Sequence, residues 1–140
     1  MKTFLLSIVC MFGVTTSVQA DVAVSNLFTD HMVVQQGKPV IIWGTAESGE
    51  AVTVAIAGKA AQVTADADGK WTAKLPALKA NSGPHTITIK ASNLLAIEDV
   101  LVGEVWVCSG QSNMAWPVAS ANDPQLEALS ARFPRMRIIS

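Results

Sequence analysis

The fold is decided by a short alternating stretch, Val52-Thr53-Val54-Ala55-Ile56. Successive side chains of a β-strand point to opposite faces, so the larger side chains of this stretch share one face. The stretches 71–75 (Trp-Thr-Ala-Lys-Leu) and 86–90 (Thr-Ile-Thr-Ile-Lys) alternate in the same way. Because no helical period competes with this alternation, we predict amphipathic strands over most of residues 21–101.

Turn-forming residues separate these strands. The breaks are Glu47-Ser48-Gly49-Glu50, Asp66-Ala67-Asp68-Gly69 and Asn81-Ser82-Gly83-Pro84, which are rich in the residues that favour turns. Several short strands at this spacing predict an antiparallel β-sandwich. We expect the second break to be a hairpin turn, because an EF-hand calcium loop would need Gly and Glu where Trp71 and Ala77 stand.

Composition and charge exclude several classes of protein. Half of the 140 residues are hydrophobic, which argues against a disordered chain. The formal net charge is −1, with charges of both signs mixed along the chain, so no basic face is offered to nucleic acid. We therefore expect no nucleic-acid partner. The length allows one domain, or one small domain together with the beginning of another.

The first twenty residues have the features of an export signal. Lys2 gives a positive n-region, Phe4–Val14 is an apolar h-region, and Val18-Gln19-Ala20 fits a small-residue cleavage site. The apolar run falls short of the about 20 residues of a membrane span. We predict a signal peptide at 1–20, cleaved after Ala20, and a secreted or periplasmic chain with no membrane association. A buried strand is the alternative interpretation.

The two cysteines have different expected fates. Cys10 lies in the predicted signal peptide and is lost with it, so Cys108 is left without an internal disulfide partner. Cys108 ends the continuous apolar run Val105-Trp106-Val107-Cys108, in which a free cysteine usually behaves as a small buried hydrophobe. We expect a structural role rather than a reactive thiol.

The same run marks a change of pattern after Val102. Four apolar residues without alternation predict a strand buried on both faces, as in the parallel sheet of an α/β domain. The turn Ser109-Gly110-Gln111-Ser112-Asn113-Met114 follows at once, and the carboxyl edge of such a sheet is where reactive groups lie. Gly110 allows a sharp bend that would project the Ser112 hydroxyl. This is not a nucleophile elbow, because Met114 stands where a second glycine is needed, and a plain turn remains the alternative.

A family resemblance distinguishes between these alternatives. Residues 103–114 (Gly-Glu-Val-Trp-Val-Cys-Ser-Gly-Gln-Ser-Asn-Met), followed by Trp116-Pro117, resemble the first block of the sialate O-acetylesterases, which are SGNH hydrolases. Three upstream segments resemble the N-terminal sandwich of that family: 27–36 (Leu-Phe-Thr-Asp-His-Met-Val-Val-Gln-Gln), Trp43-Gly44, and 67–71 (Ala-Asp-Gly-Lys-Trp). The resemblance implies a mostly β chain: an antiparallel β-sandwich at 21–101, then the start of an α/β/α SGNH-hydrolase domain at 102–140.

The resemblance also implies the chemistry. Ser112 would be the nucleophile that attacks an acetyl ester, with its own backbone N–H as one oxyanion donor. Gly110, Gln111 and Asn113 would support the turn, and Trp116 would line the substrate site. The expected partner is an O-acetylated sugar, sialic acid or a related carbohydrate, with no cofactor and no metal. A carbohydrate-binding or spacer sandwich, and an esterase acting on acetylated xylan, are the alternatives.

The resemblance implies that the catalytic base lies elsewhere. In the family a histidine paired with an acidic residue, a glycine N–H and an asparagine side chain all come from later blocks. We expect His31, which follows Asp30 in a predicted turn, and His85, which follows Pro84 at the start of a strand, to be solvated or satisfied structural residues.

The last residues have the pattern of an unfinished domain. Asp123-Pro124 predicts a helix start, followed by a helical face of Leu126, Leu129 and Phe133 up to Pro134. Residues 136–139 (Met-Arg-Ile-Ile) predict the beginning of another strand. We therefore expect a fragment that is inactive alone.

Overall fold

A computed structural model of the protein describes residues 21–80 and 83–138. The predicted signal peptide at 1–20, residues 81–82 of the third predicted turn, and residues 139–140 lie outside the described residues.

The described chain forms two β-sheets followed by short helices. The strands are β1 (Ala23–Val24), β2 (Val33–Gln35), β3 (Val40–Thr45), β4 (Ala51–Ile56), β5 (Lys59–Thr64), β6 (Lys70–Leu75), β7 (His85–Lys90) and β8 (Leu94–Gly103). One sheet has the order β1-β3-β6 and the other β2-β8-β7-β4-β5. Two 3₁₀-helices (Ser112–Ala115 and Val118–Ser120) and α1 (Pro124–Ser130) follow. The mostly β fold that we predicted is confirmed.

The alternating strands bury the faces that their sequences indicated. The larger residues of β4, together with Trp71, Ala73 and Leu75 of β6, are all buried in one hydrophobic cluster. Residues of both sheets contribute to this cluster, so the core lies between the sheets. Full burial of an aliphatic side chain such as Ile or Leu stabilises the fold by about 1.5–3 kcal/mol, which makes this core the main source of stability.

The turn at Asp66–Gly69 is real, but our prediction of a hairpin there is wrong. The Asp66 carboxylate accepts hydrogen bonds from the backbone N–H groups of Asp68 (3.0 Å) and Lys70 (2.8 Å), and Gly69 has a φ of 74°. However, β5 pairs with β4 and β6 pairs with β3, so the turn carries the chain from one sheet to the other. The hairpin turn between β4 and β5 is Ala57-Gly58, with φ values of 50° and 72°.

The strand pairing differs from a purely antiparallel sandwich in one place. Strand β2 runs parallel to β8, with Val33 opposite Leu101. Strand β8 also contains a bulge, because the step from His85 to Ile87 on β7 is matched by the longer step from Ile97 to Val100. Asp99 lies in this bulge with a φ of 51°. A bulge redirects side chains locally, and here it affects the site described below.

The predicted strand at 105–108 is absent, and the prediction that Cys108 is buried is wrong. Residues 104–110 have no regular structure, Trp106 and Val107 are 81% and 91% exposed, and Cys108 is exposed. A strand needs neighbours to accept and donate its backbone hydrogen bonds, and no described strand pairs with this run. Its apolar side chains consequently remain exposed among the described residues.

The C-terminal helix is shorter than predicted. Helix α1 begins at Pro124 as expected but ends at Ser130, and the Asp123 side chain makes no capping hydrogen bond. Leu126, Leu129 and Phe133 are exposed, so the predicted apolar face is not buried in a core within the described chain. Residues 136–138 form no strand. No helix among residues 21–80 and 83–138 has the length and apolar character of a membrane span.

Candidate active site

The segment that carries Ser112 leaves the sandwich through a clamp of two glutamines. The side-chain amides of Gln35 and Gln36 donate to the two carboxylate oxygens of Glu104 (2.8 and 2.6 Å). The Gln35 side-chain oxygen also accepts a hydrogen bond from the Val105 N–H (2.9 Å). These donors, first Gln35 and then Gln36, lower the pKa of the Glu104 carboxyl. The clamp therefore fixes the direction in which the chain departs from β8.

A second contact ties the end of the described chain to the bulge in β8. The Arg137 guanidinium donates to Asp99 Oδ2 (2.8 Å), and His31 Nδ1 donates to the same oxygen (2.6 Å). The His31 hydrogen bond, and after it the Arg137 contact, lower the pKa of the Asp99 carboxyl. His31 is thus satisfied by a structural partner, as we expected. Both ends of the segment 104–137 are held on the sandwich.

Ser112 occupies the first position of a short 3₁₀-helix between two anchors, the Glu104 clamp and the contact of Arg137 with Asp99. Gln111 precedes it in an extended conformation (φ −87°, ψ −169°). The Met114 N–H donates to the Gln111 carbonyl (2.9 Å), and the Trp116 N–H donates to the Asn113 carbonyl (3.3 Å). The first N–H groups of a helix have no intrahelical acceptor, so the Ser112 N–H can point at a ligand. The serine itself is exposed.

The residues around Ser112 have identifiable structural tasks. A Cβ at Gly110 would lie 2.7 Å from Cγ of Met114, so glycine lets the turn close against that side chain. Gln111 and Asn113 brace the turn through the backbone carbonyls just described. The Trp116 indole donates to the Ser120 carbonyl (3.1 Å) while its ring remains exposed. The four residues predicted around the nucleophile therefore lie together in one exposed turn.

The described chain does not assemble a base at Ser112. Within residues 21–80 and 83–138 the Ser112 hydroxyl makes no hydrogen bond to a histidine or carboxylate. His31 is bonded to Asp99, and His85 starts β7 opposite Val100. No cluster of three or more potential metal ligands occurs in the same part of the chain. A depression of about 380 Å³ beside α1 is lined by Val118, Ala119, Pro124, Gln125 and Ala128, and Ser112 is not among its residues.

The amino-acid sequence alone did not predict the two anchors, which are the Glu104 clamp and the contact of Arg137 with Asp99. The partners of Gln35 and Asp99 lie 69 and 38 residues away in the chain, and no local pattern encodes such a distance. A weak signal existed: Glu98-Asp99 interrupts the otherwise apolar strand β8, and a break of this kind is compatible with a bulge.

The rest of the segment presents apolar side chains to solvent. The large exposed hydrophobic residues after β8 are Val105, Trp106, Val107, Met114, Trp116, Val118, Leu126, Leu129, Phe133, Met136 and Ile138. Large apolar side chains exposed in this number are typical of a segment that contacts another part of a protein.

Comparison with known proteins assigns the chain to a group of homologues. No protein-family model matches it. It is 32% identical to the sialate O-acetylesterase of Rattus norvegicus over 127 residues, which are 81% of this chain and 23% of the relative. The human sialate O-acetylesterase is also 32% identical, over 83% of this chain and 24% of the relative.

A solved structure agrees with these relatives. A carbohydrate acetylesterase from Xanthomonas citri superposes with a TM-score of 0.74 at 37% identity, covering 81% of this chain and 26% of that protein. The chain spans about a quarter of the length of the relatives that it matches. Over most of its own length, the chain is therefore a homologue of the sialate O-acetylesterases, as the four resembling segments predicted.

Proposed function

We propose that this chain is part of a serine esterase that removes O-acetyl groups from sialic acid or a related carbohydrate, with Ser112 as the nucleophile. The observation that carries the proposal is the exposed position of Ser112 at the start of a braced 3₁₀ turn, in a homologue of carbohydrate acetylesterases. Gly110, Gln111 and Asn113 shape that turn, and the exposed Trp116 ring lines the approach to it.

The reaction follows from the chemistry of a serine at such a turn. The Ser112 oxygen attacks the acetyl carbonyl carbon, a base takes the hydroxyl proton, and the carbonyl oxygen gains negative charge. The Ser112 N–H donates to that oxygen. When the intermediate collapses, the bond to the sugar oxygen breaks, and that oxygen takes the proton back from the base and leaves as a hydroxyl. The resulting acetyl-serine is then hydrolysed to acetate by a water molecule that the same base deprotonates. These steps need no cofactor.

We propose that the base and the remaining oxyanion donors belong to parts of the protein outside the described residues. A serine hydroxyl without a base is a poor nucleophile, and the described histidines have other positions. The same parts would supply strands on both sides of residues 105–108, which are apolar and exposed here. We also propose that the sandwich at 21–101 is followed by a catalytic domain that begins at residue 102.

Covalent labelling tests the nucleophile. The full-length protein that contains this chain should react with a fluorophosphonate, and mass spectrometry should place the adduct on the peptide that contains Ser112. The 140-residue chain alone should stay unlabelled, because its described residues place no base at Ser112. An adduct on another serine, with Ser112 unmodified, would refute the assignment.

The identity of the sugar is tested separately. The relatives are sialate O-acetylesterases, whereas the similar solved structure is described more broadly as a carbohydrate acetylesterase. Acetate release from O-acetylated sialic acid should exceed release from acetylated xylan if the sialate specificity holds. The reverse order would favour the xylan alternative while leaving the esterase proposal intact.

The export proposal rests on the sequence of residues 1–20. N-terminal sequencing of the secreted or periplasmic protein should begin at Asp21. Intact protein that starts at Met1 in the cytosol would contradict it.

A further inference from the structure

The outer face of the β1-β3-β6 sheet carries an exposed aromatic residue, Trp43. Trp43 is 39% exposed and borders a shallow groove of about 300 Å³. The other residues that line this Trp43 groove are Val24, Ser25, Gly44, Thr45 and Lys70. The volume is at the lower end of the roughly 300–1,000 Å³ of small-molecule sites, so it suits a single ring rather than a large ligand.

The Trp43 ring is held in place before any ligand arrives. The Phe28 ring packs edge-on against it, with centroids 4.6 Å apart and an interplanar angle of 77°. The turn that carries Phe28 is fixed to the same strand: the Ser25 N–H donates to the Trp43 carbonyl (3.1 Å), and the Phe28 N–H donates to the Ser25 carbonyl (2.9 Å). A ring that is already immobilised loses little conformational entropy on binding.

Polar groups surround the ring on the same face. In the β3–β6 register Thr45 lies opposite Lys70 and Trp43 lies opposite Thr72, so these side chains share the outer face. Lys70 makes no ion pair within the described part of the chain, and no carboxylate lines the groove. The rim therefore offers hydroxyl groups and an ammonium group beside an apolar ring.

We propose that the Trp43 groove is a carbohydrate-binding subsite that takes one pyranose ring, separate from Ser112. A pyranose has a C–H face that packs on an aromatic surface and a hydroxyl edge that hydrogen-bonds to polar side chains. The groove presents these two surfaces side by side, with Trp43 for the C–H face and Ser25, Thr45 and Lys70 for the edge. The choice of a saccharide as the occupant rests in part on the proposed function, whereas the geometry of the groove does not.

Binding is tested without any esterase chemistry. The chain, labelled with ¹⁵N, is titrated with 3′-sialyllactose and, in parallel, with xylotetraose, neither of which carries an acetyl ester at oxygen. At least one saccharide should shift the Trp43 indole resonance and the backbone resonances of Ser25, Thr45 and Lys70. Trp43→Ala should weaken that binding by about tenfold, and Lys70→Ala, at an exposed position, should weaken it severalfold.

A matched control and the opposing outcomes complete the test. Leu94→Ala removes an exposed hydrophobic residue from the other sheet and should leave the affinity unchanged. The proposal would be overturned if neither saccharide shifted the resonances of the groove residues. It would also be overturned if the folded Lys70→Ala and Trp43→Ala variants both bound saccharide with the affinity of the wild type. Groove shifts that depend on protein concentration and not on sugar would also overturn it, because they identify a second copy as the occupant.

Failure of this proposal can be distinguished from failure of the esterase proposal. Saccharide binding at the groove together with an unlabelled Ser112 in the full-length protein would refute the esterase alone. A labelled Ser112 together with no binding at the groove would refute the subsite alone.

Discussion

Substitution of Gly44 by alanine tests how the sandwich closes. Gly44 lies in β3 opposite Val24 of β1 and Trp71 of β6. A Cβ at this position would lie 2.0 Å from the Ala23 carbonyl oxygen and 2.8 Å from Cζ2 of Trp71. Even a close C···O contact needs about 3.3 Å, so β1 would have to move by more than about 1 Å. Such a movement disrupts the β1–β3 pairing and the packing of the buried Trp71.

The expected cost is that of overpacking a tight site. Insertion of a methyl group into a packed core costs typically about 1–3 kcal/mol, and the rigid neighbours here are backbone and an indole ring. We expect Gly44→Ala to lower the free energy of unfolding by about 2 kcal/mol, which lowers the Tm of a domain of this size by about 8–16 °C.

Thermal and urea denaturation of the chain measures this cost. Gly83→Ala is the matched control, because a Cβ there meets nothing within 4 Å and Gly83 lacks a positive φ. The control should stay within about 0.5 kcal/mol of the wild type. If Gly44→Ala were as stable as the control, the close approach of β1 to β3 would be wrong.

Three further predictions concern the sandwich and the contact between Asp99 and Arg137. A truncated chain of residues 21–103 should melt cooperatively with a β-type circular dichroism spectrum, because the buried core lies entirely before residue 104, and a non-cooperative melt would contradict this. Asp99→Asn should weaken the contact with Arg137, so that trypsin cleaves the segment after α1 faster, whereas Asp68→Asn should not change the cleavage. The pKa of the Asp99 carboxyl is lowered in the folded protein. The ionised carboxylate therefore stabilises the fold at pH values above the ordinary pKa of an aspartate, and this stabilisation is lost as the pH falls through the lowered pKa of the folded state. The Arg137 side-chain resonances should therefore change when the pH is lowered below the ordinary pKa of an aspartate. An unchanged spectrum would contradict the contact between Asp99 and Arg137.

The sequence specified the core strands but not their arrangement. Alternation identified β4, β6 and β7 because burial of one face is a local property of the pattern. The crossing at Asp66–Gly69 was misjudged because the same turn residues serve hairpins and connections between sheets. The Ala57-Gly58 hairpin was missed because Ala57 takes a positive φ that its residue type rarely adopts.

The site was only partly predictable for a similar reason. The turn around Ser112 follows from a contiguous block of residues, and its exposed 3₁₀ geometry agrees with an accessible hydroxyl. An apolar run such as 105–108 indicates that its side chains are suited to burial. It does not indicate whether neighbouring strands are present, and a strand forms only where they are. The Glu104 clamp and the Asp99 contact join residues far apart in the chain, so only the folded structure reveals them.

Replacement of Ser112 in the full-length protein that contains this chain is the most direct test of the esterase proposal. The measurement is kcat/KM for release of acetate from an O-acetylated sugar, compared between the wild type, Ser112→Ala and Ser109→Ala. Loss of a nucleophile removes catalysis by the whole group of residues that act with it, so Ser112→Ala should lower kcat/KM by several orders of magnitude, roughly 10⁴-fold or more. Ser109→Ala should stay within about tenfold of the wild type. Near-normal turnover by a folded Ser112→Ala enzyme would contradict the assignment of the nucleophile and the esterase mechanism built on it.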